Sequence, residues 1–217
     1  DALTALEFGV AGGNGLRALE NYADLIERWY RIKVRVVGLD SGKGLLPATD
    51  PRDCAFALHA GDFAMDRAKL CSVLRHAELI LGDVADSVGP LMTRIDCGQL
   101  PPLGFVSHDL DVFTGTYAAL EAIAALGNER CLPRVPMYFD DLSGYPYTTE
   151  TGECAAIAAF NAKHDTRRIG KIENLEQTLG GSSRWADWPR HVFVLHAFDH
   201  PRYNAPEQVE QPDLSLR

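Results

Sequence analysis

The chain has 217 residues and a net charge of −9, with 46% hydrophobic and 24% charged residues. This length and composition indicate a globular protein that can bury one sizeable core. The acidic balance argues against a nucleic-acid surface or an acidic membrane as partner, because both bind clustered Lys and Arg. We therefore expect a small-molecule partner, and the sequence leaves a homo-oligomer open.

The cysteines and the apolar runs bound the cellular setting. Five cysteines are scattered along the chain without a CxxC pair, which is typical of buried free thiols in a reducing cytoplasm. No apolar run approaches the ~20 residues of a membrane-spanning helix. We expect a cytoplasmic protein.

Predicted strands and helices alternate along the chain. Short apolar or β-branched runs predict strands, and apolar residues at helical spacing predict helices. The predicted strands are 4–10, 33–40, 78–84, 103–111, 134–141, 167–175 and 190–198. The predicted helices are 15–30, 65–77, 114–126 and 152–164, with a proline-rich loop before the strand at 103.

This alternation predicts the fold class. Strands joined by helices of this length imply parallel crossovers, and therefore an α/β, Rossmann-like, doubly wound, mostly parallel sheet. The last two strands form a final pair, and we expect an antiparallel final strand. One domain is predicted over residues 1–205, followed by a polar tail over 206–217.

The first predicted strand leads into the glycine-rich stretch EFGVAGGNG. Gly9, Ala11 and Gly13 occupy alternate positions after Glu7. A strand-to-helix turn needs residues without bulk where the backbone meets a ligand, and the helix that follows offers its free N–H groups to that ligand. The stretch therefore predicts a nucleotide or nucleoside site.

The same stretch also matches the GxxGxxG phosphate loop of short-chain dehydrogenases through Gly9, Gly12 and Gly15. Such enzymes need a Tyr followed four residues later by a Lys, which lowers the pKa of the Tyr for proton transfer. None of the seven tyrosines has a lysine at that spacing. A nicotinamide-dependent oxidoreductase therefore stays only as an alternative.

Acidic residues end several predicted strands. Asp40 ends the second, and its carboxylate could accept hydrogen bonds from two ribose hydroxyls in either class of cofactor. Asp109 and Asp111 end one later strand, and Asp140 and Asp141 end the next. Parallel strands bring these acids to one edge, where a cation such as Mg²⁺ would relieve their repulsion. If they are only caps and turn residues, the chain is a non-catalytic nucleotide-binding module.

The order of these segments resembles a known family. The glycine loop, VVGLDSGKGLLP, LILGDVADSVG, GFVSHDLDVFTGTYAAL and MYFDDLSG resemble class I S-adenosylmethionine (SAM)-dependent methyltransferases over roughly residues 4–145. The similarity is greatest to the metal-dependent macrocin-type sugar O-methyltransferases. It implies transfer of a methyl group from SAM to a hydroxyl of a sugar or natural-product intermediate, assisted by Mg²⁺.

The resemblance also implies roles for individual residues. The implied SAM-binding residues are Glu7, Gly9, Ala11, Gly13, Asp40, Ser41, Asp83, Val84 and Asp109. The implied metal ligands are Asp109, Asp140 and Asp141. His108 departs from the family pattern, which usually has an apolar residue there.

Candidates for catalysis come from two segments. An acceptor hydroxyl must lose its proton, and histidine is the best general base near neutral pH. His196 and His200 in HAFDHPRY either serve as that base or anchor the C-terminal strand, and Asp111 is the third candidate. His108 either assists the acids or packs at its strand end.

Other segments could cover the site. The loop 145–152 follows the Asp pair and is predicted to form a lid. Trp185 and Trp188 flank a loop and could cover a substrate, or they simply pack against the fold.

Overall fold

The computed structural model describes residues 1–175 and 187–206. Seven strands form one sheet in the order β3-β2-β1-β4-β5-β7-β6. Their bounds are β1 Ala2–Phe8, β2 Lys33–Asp40, β3 Glu78–Leu81, β4 Leu103–His108, β5 Arg134–Phe139, β6 Arg167–Lys171 and β7 Val192–Ala197. Strands β1 to β5 pair in parallel, and β7 runs antiparallel to both β5 and β6.

Five α-helices accompany the sheet in the described part of the chain. They are α1 Asn14–Tyr30, α2 Arg67–Val73, α3 Val84–Asp96, α4 Phe113–Ala124 and α5 Gly152–Lys163. The predicted Rossmann-like sheet with an antiparallel final strand is confirmed. The strand order reverses between β1 and β4, which is where open α/β sheets bind ligands.

The predicted proline-rich loop before β4 is confined to the residues around Pro101 and Pro102, and helix α3, which was not predicted, fills most of the stretch before it. Pro90 lies inside this helix, although proline usually breaks a helix interior. The Asp83 side chain caps its start by accepting a hydrogen bond from the Ala85 N–H at 2.9 Å. Apolar residues at helical spacing, including Val88 and Leu91, are buried on its inner face, and this burial outweighs the proline.

Large apolar side chains are buried between the sheet and the helices and form the hydrophobic core. Phe8, Phe139, Phe160, Leu103 and Met137 are among the largest fully buried side chains. Burial of such side chains contributes about 1.5–3 kcal/mol each relative to exposure. Among the described residues, no helix has both the length and the apolar character that a membrane span requires.

A buried acid on α1 positions the edge strand β3. The Glu20 carboxylate is 1% exposed and accepts hydrogen bonds from the backbone N–H groups of Arg75, His76 and Ala77. These bonds lower the pKa of Glu20 despite its burial. They fix the segment that enters β3, and thereby the outer end of the sheet near the predicted nucleoside site.

Candidate active site

A cavity of about 590 Å³ opens at the carboxyl ends of the parallel strands. It brings together most of the residues that the sequence singles out, from five separate segments. Those lining it are Gly9, Ala11, Asp40, Ser41, Asp83, Val84, Asp109, Asp111, Asp140 and Asp141. The cavity size is in the range of small-molecule sites.

The glycine turn after β1 lies directly against the end of β4. Gly9 has a φ of +80°, and a Cβ there would lie 1.7 Å from the Asp109 carbonyl oxygen. A side chain at this position is therefore excluded twice, by backbone conformation and by space. Because Gly9 has no side chain, the cavity extends to the ends of both β1 and β4.

Asp40 connects this turn to the loop after β2. Its Oδ2 accepts hydrogen bonds from the Val10 and Ala11 N–H groups, both at 2.8 Å. Its Oδ1 accepts one from the Gly42 N–H at 2.6 Å. A carboxylate offers about four acceptor positions, so Asp40 has about one left for a ligand hydroxyl.

Glu7 and Gly13 support the turn from behind and do not line the cavity. Glu7 is 2% exposed, and a Cβ on Gly15 would lie 1.9 Å from its Oε1. Burial, and then the nearby Asp109 and Asp40, raise the pKa of Glu7 to about 8. This raised pKa favours the uncharged form of Glu7 at neutral pH. Because Glu7 and Gly13 lie outside the cavity lining, the direct ligand contact implied for them stays a prediction.

Three carboxylates form a cluster on the cavity wall. Ligand oxygens of Asp109, Asp140 and Asp141 all lie within 4.8 Å of one another. Burial in the cleft, together with the neighbouring acids, raises the pKa of Asp109 and of Asp141 to about 7, although Asp109 still reaches solvent. Below them, the fully buried Glu153 accepts a hydrogen bond from the Asp141 N–H at 3.0 Å.

Asp111 occupies a tight turn beside the cluster. Its φ is +62°, and the Val112 N–H donates to the Leu110 carbonyl at 2.6 Å around it. Such a conformation costs about 1–3 kcal/mol and persists where the surroundings hold it. The Asp111 N–H donates to Asp141 Oδ2 at 2.8 Å, and the Tyr147 hydroxyl donates to the Asp111 carboxylate.

Two loops complete the cavity wall. The loop 145–152, predicted to form a lid, contributes one of its two tyrosines, Tyr147, to the lining. The loop between β2 and α2 is anchored by Asp53, which is 1% exposed. Asp53 accepts hydrogen bonds from the N–H groups of Thr49 and Asp50 at 3.1 Å and of Thr114 at 2.8 Å. The spacing of DPRD, a capping pair, is the sequence signal for this anchor.

His196 and His200 lie at the wrong edge of the sheet for catalysis in this cavity. His196 pairs with Arg134 at the amino end of β5, whereas Asp140 follows the carboxyl end. The five residues between them along β5 span roughly 17 Å. The His196 Nδ1 is hydrogen-bonded to the Tyr203 hydroxyl at 2.7 Å, so the anchoring interpretation fits the structure.

His108 is a packing residue. It is fully buried, and its ring stacks between Phe8 and Phe139 with centroids 5.3 and 4.5 Å away. Burial lowers the pKa of His108 to about 3. It is therefore neutral at physiological pH, and it does not line the cavity with the acids.

The histidine near the site is His191, which sequence reasoning missed. It is buried, stacks on Tyr138 with centroids 5.6 Å apart, and donates from Nδ1 to the Phe139 carbonyl at 2.6 Å. Because β7 runs antiparallel to β5, the start of β7 lies beside the carboxyl end of β5. The position of His191 just before β7 is therefore the sequence signal that could have identified it. Trp188 is half exposed and does not line the cavity, and Trp185 lies outside the described residues.

Comparisons with known proteins place the fold in a class. No protein-family model matches the chain, and no curated protein matches it. Among solved structures, the calicheamicin methyltransferase CalS11 has 22% identity and a TM-score of 0.59, over 89% of this chain and 71% of that chain. The O-methyltransferase NovP has 14% identity and a TM-score of 0.55 over the same shares. The chain therefore shares a Rossmann-like fold with these two methyltransferases.

A further structure of CalS11 extends the description of that neighbour. It is an apo structure, in which CalS11 is described as a TDP-rhamnose 3′-O-methyltransferase of calicheamicin biosynthesis. Its identity to this chain is 21% and its TM-score is 0.49, over 89% of this chain and 71% of that chain.

Proposed function

We propose that the chain is a SAM-dependent methyltransferase that methylates a hydroxyl of a small molecule with the help of a divalent cation. The observation that carries this proposal is the cavity itself. It lies where the strand order of the sheet reverses, the usual ligand site of such folds. Residues suited to bind a nucleoside line one end of the cavity, and a carboxylate cluster lines the other.

The residues at the glycine turn fit SAM. Gly9 provides a cradle without a side chain, and Asp40 has about one acceptor position left for a ribose hydroxyl. Ser41, Asp83 and Val84 line the same end of the cavity and would border the ribose and adenine. SAM supplies an activated methyl group, so these residues need only bind and orient it.

The carboxylate cluster fits a hard cation. Asp109, Asp140 and Asp141 offer only oxygen ligands, which Mg²⁺ prefers. A bound cation would lower the pKa of a coordinated hydroxyl and orient it. The same cation would offset the repulsion that raises the pKa values of Asp109 and Asp141.

Asp111 is the carboxylate we assign to proton removal. It lines the cavity beside the cluster and is held by the Asp141 carboxylate and the Tyr147 hydroxyl. Burial raises the pKa of Asp111 above its usual range, which brings a carboxylate closer to the value that a base needs. His196 and His200 do not line the cavity, which favours Asp111 over them for this role.

The lining of the cavity also bears on the acceptor. Within residues 1–175 and 187–206, the lining contains no Lys, Arg or His. A phosphate group would therefore lack a cationic partner from the described chain. We infer a neutral or cationic acceptor, such as a sugar hydroxyl without phosphate.

The first test is calorimetric titration of the purified chain with S-adenosylhomocysteine, with and without Mg²⁺, and with NADH as control. Micromolar binding of the homocysteine nucleoside, and none of NADH, would support the proposal. Binding of NADH alone would favour the oxidoreductase alternative, and no binding at all would remove the methyltransferase assignment.

The second test measures methyl transfer with paired acceptors. Rhamnose glycosides and TDP-rhamnose are compared in an assay that follows S-adenosylhomocysteine release. Turnover of TDP-rhamnose alone would contradict the acceptor inference. Asp111→Asn should lose turnover and keep S-adenosylhomocysteine affinity, because it removes the base and leaves the nucleoside end unchanged.

A further inference from the structure

We infer that Tyr138 is a positioning residue for the cation, acting through Asp140. This inference rests on the proposed function, because it assumes that the cluster of Asp109, Asp140 and Asp141 binds a divalent cation. It concerns a residue that neither the sequence reasoning nor the comparisons assign.

The geometry of β5 brings the two side chains together. Residues two apart in a strand lie on the same face, and Asp140 follows Tyr138 at that spacing just beyond the strand. The Tyr138 hydroxyl donates to Asp140 Oδ1 at 3.1 Å. A carboxylate offers about four acceptor positions, so this bond leaves Asp140 able to bind a cation with the cluster.

The backbone at this point is already fixed from both sides. The Asp140 N–H donates to the His108 carbonyl at 3.0 Å and extends the pairing of β4 with β5. His191 donates to the carbonyl of Phe139 at 2.6 Å. These two bonds hold the backbone on either side of the Phe139–Asp140 peptide, and the Tyr138 hydroxyl restrains the Asp140 side chain.

Asp140 needs this restraint because it is exposed and surrounded by like charges. Without a donor, its carboxylate would turn away from Asp109 and Asp141, and cation binding would have to restore the inward orientation. The Tyr138 ring is itself held by stacking on the buried His191. Removing a hydrogen bond to a metal ligand typically lowers the metal affinity 10–100-fold.

The test is calorimetric titration of the full chain with Mg²⁺. Tyr138→Phe removes only the hydroxyl and should weaken Mg²⁺ binding about tenfold or more, with S-adenosylhomocysteine affinity unchanged. Tyr203→Phe is the matched control, because it removes one tyrosine hydroxyl bond to β7 at the opposite edge of the sheet. It should leave both affinities unchanged.

A double-mutant cycle with Asp140→Asn separates positioning from general loosening of the fold. In the Asp140→Asn background, Tyr138→Phe should cause no further loss of Mg²⁺ affinity. Equal Mg²⁺ binding by wild type and Tyr138→Phe would overturn the inference about Tyr138 and leave the proposed function standing. So would a full further loss of Mg²⁺ affinity on adding Tyr138→Phe to Asp140→Asn. A wild-type chain that binds no Mg²⁺ would overturn the metal role in the proposed function, and this inference with it.

Discussion

Replacing Glu7 by Gln is expected to stabilise the protein strongly at alkaline pH. Glu7 is buried beneath the glycine turn, and its Oε2 has no hydrogen-bond partner among the described residues. Burial and the nearby carboxylates Asp109 and Asp40 raise its pKa to about 8. Gln keeps the shape of the protonated acid and cannot ionise, so the variant removes the cost of a buried charge.

The sign and size follow from proton linkage. Between pH 4.5 and 8 the folded protein keeps the Glu7 proton while the unfolded chain has released it, so wild-type stability falls as pH rises through this window. A pKa raised from 4.5 to about 8 corresponds to about 5 kcal/mol of lost stability above pH 8. The advantage of Glu7→Gln should therefore grow from near zero at pH 4.5 toward that value.

The assay is urea unfolding followed by circular dichroism, at intervals from pH 4.5 to 8.5, on wild type and Glu7→Gln. Glu27→Gln changes an exposed carboxylate in α1 and controls for the loss of one carboxylate. A stability difference between Glu7→Gln and wild type that stays constant across the pH range would refute the reasoning. So would a variant that is less stable than wild type at pH 8.

Three other outcomes are expected. Gly9→Ala should abolish S-adenosylhomocysteine binding, because its Cβ would lie 1.7 Å from a backbone oxygen; Gly89→Ala, which faces open space in α3, should bind normally in the same titration. Mg²⁺ affinity should rise about tenfold or more from pH 6 to 8, because Asp109 and Asp141, with pKa values raised to about 7, must lose protons first; a flat calorimetric profile would contradict this. His196→Ala should leave S-adenosylhomocysteine and Mg²⁺ affinities within about twofold of wild type, since the described partners of its side chain, Tyr203 and Phe198, do not line the cavity.

The acids at the carboxyl ends of β2, β4 and β5 could be predicted from the sequence. In a parallel sheet, the end of each strand is followed by its turn, so Asp40, Asp109 and Asp140 had to reach one edge. Two predicted strands ran past β4 and β5 into these turns, because apolar pattern alone does not show where pairing stops.

The late histidines could not be placed in the same way. An antiparallel strand reverses direction, so the register of β7 against β5 decides which of its residues lie near the cavity. That register puts His191 near Asp140 and His196 at the far edge. Neither the spacing of the histidines in the sequence nor their residue type reveals this register. The support given by Tyr138 and Tyr147 likewise depends on contacts between segments.

The hydrogen bonding of the acids separates a binding role from a capping role. Glu20, Asp40 and Asp53 each accept hydrogen bonds from three backbone N–H groups, as carboxylates that hold loops together do. Within the described parts of the chain, Asp109 accepts none and Asp140 accepts only a tyrosine hydroxyl. Carboxylates that face a cavity and hold no loop repel one another and contribute little to the stability of the fold. Such groups are suited to bind a cation, which argues for the catalytic proposal over a non-catalytic nucleotide-binding module.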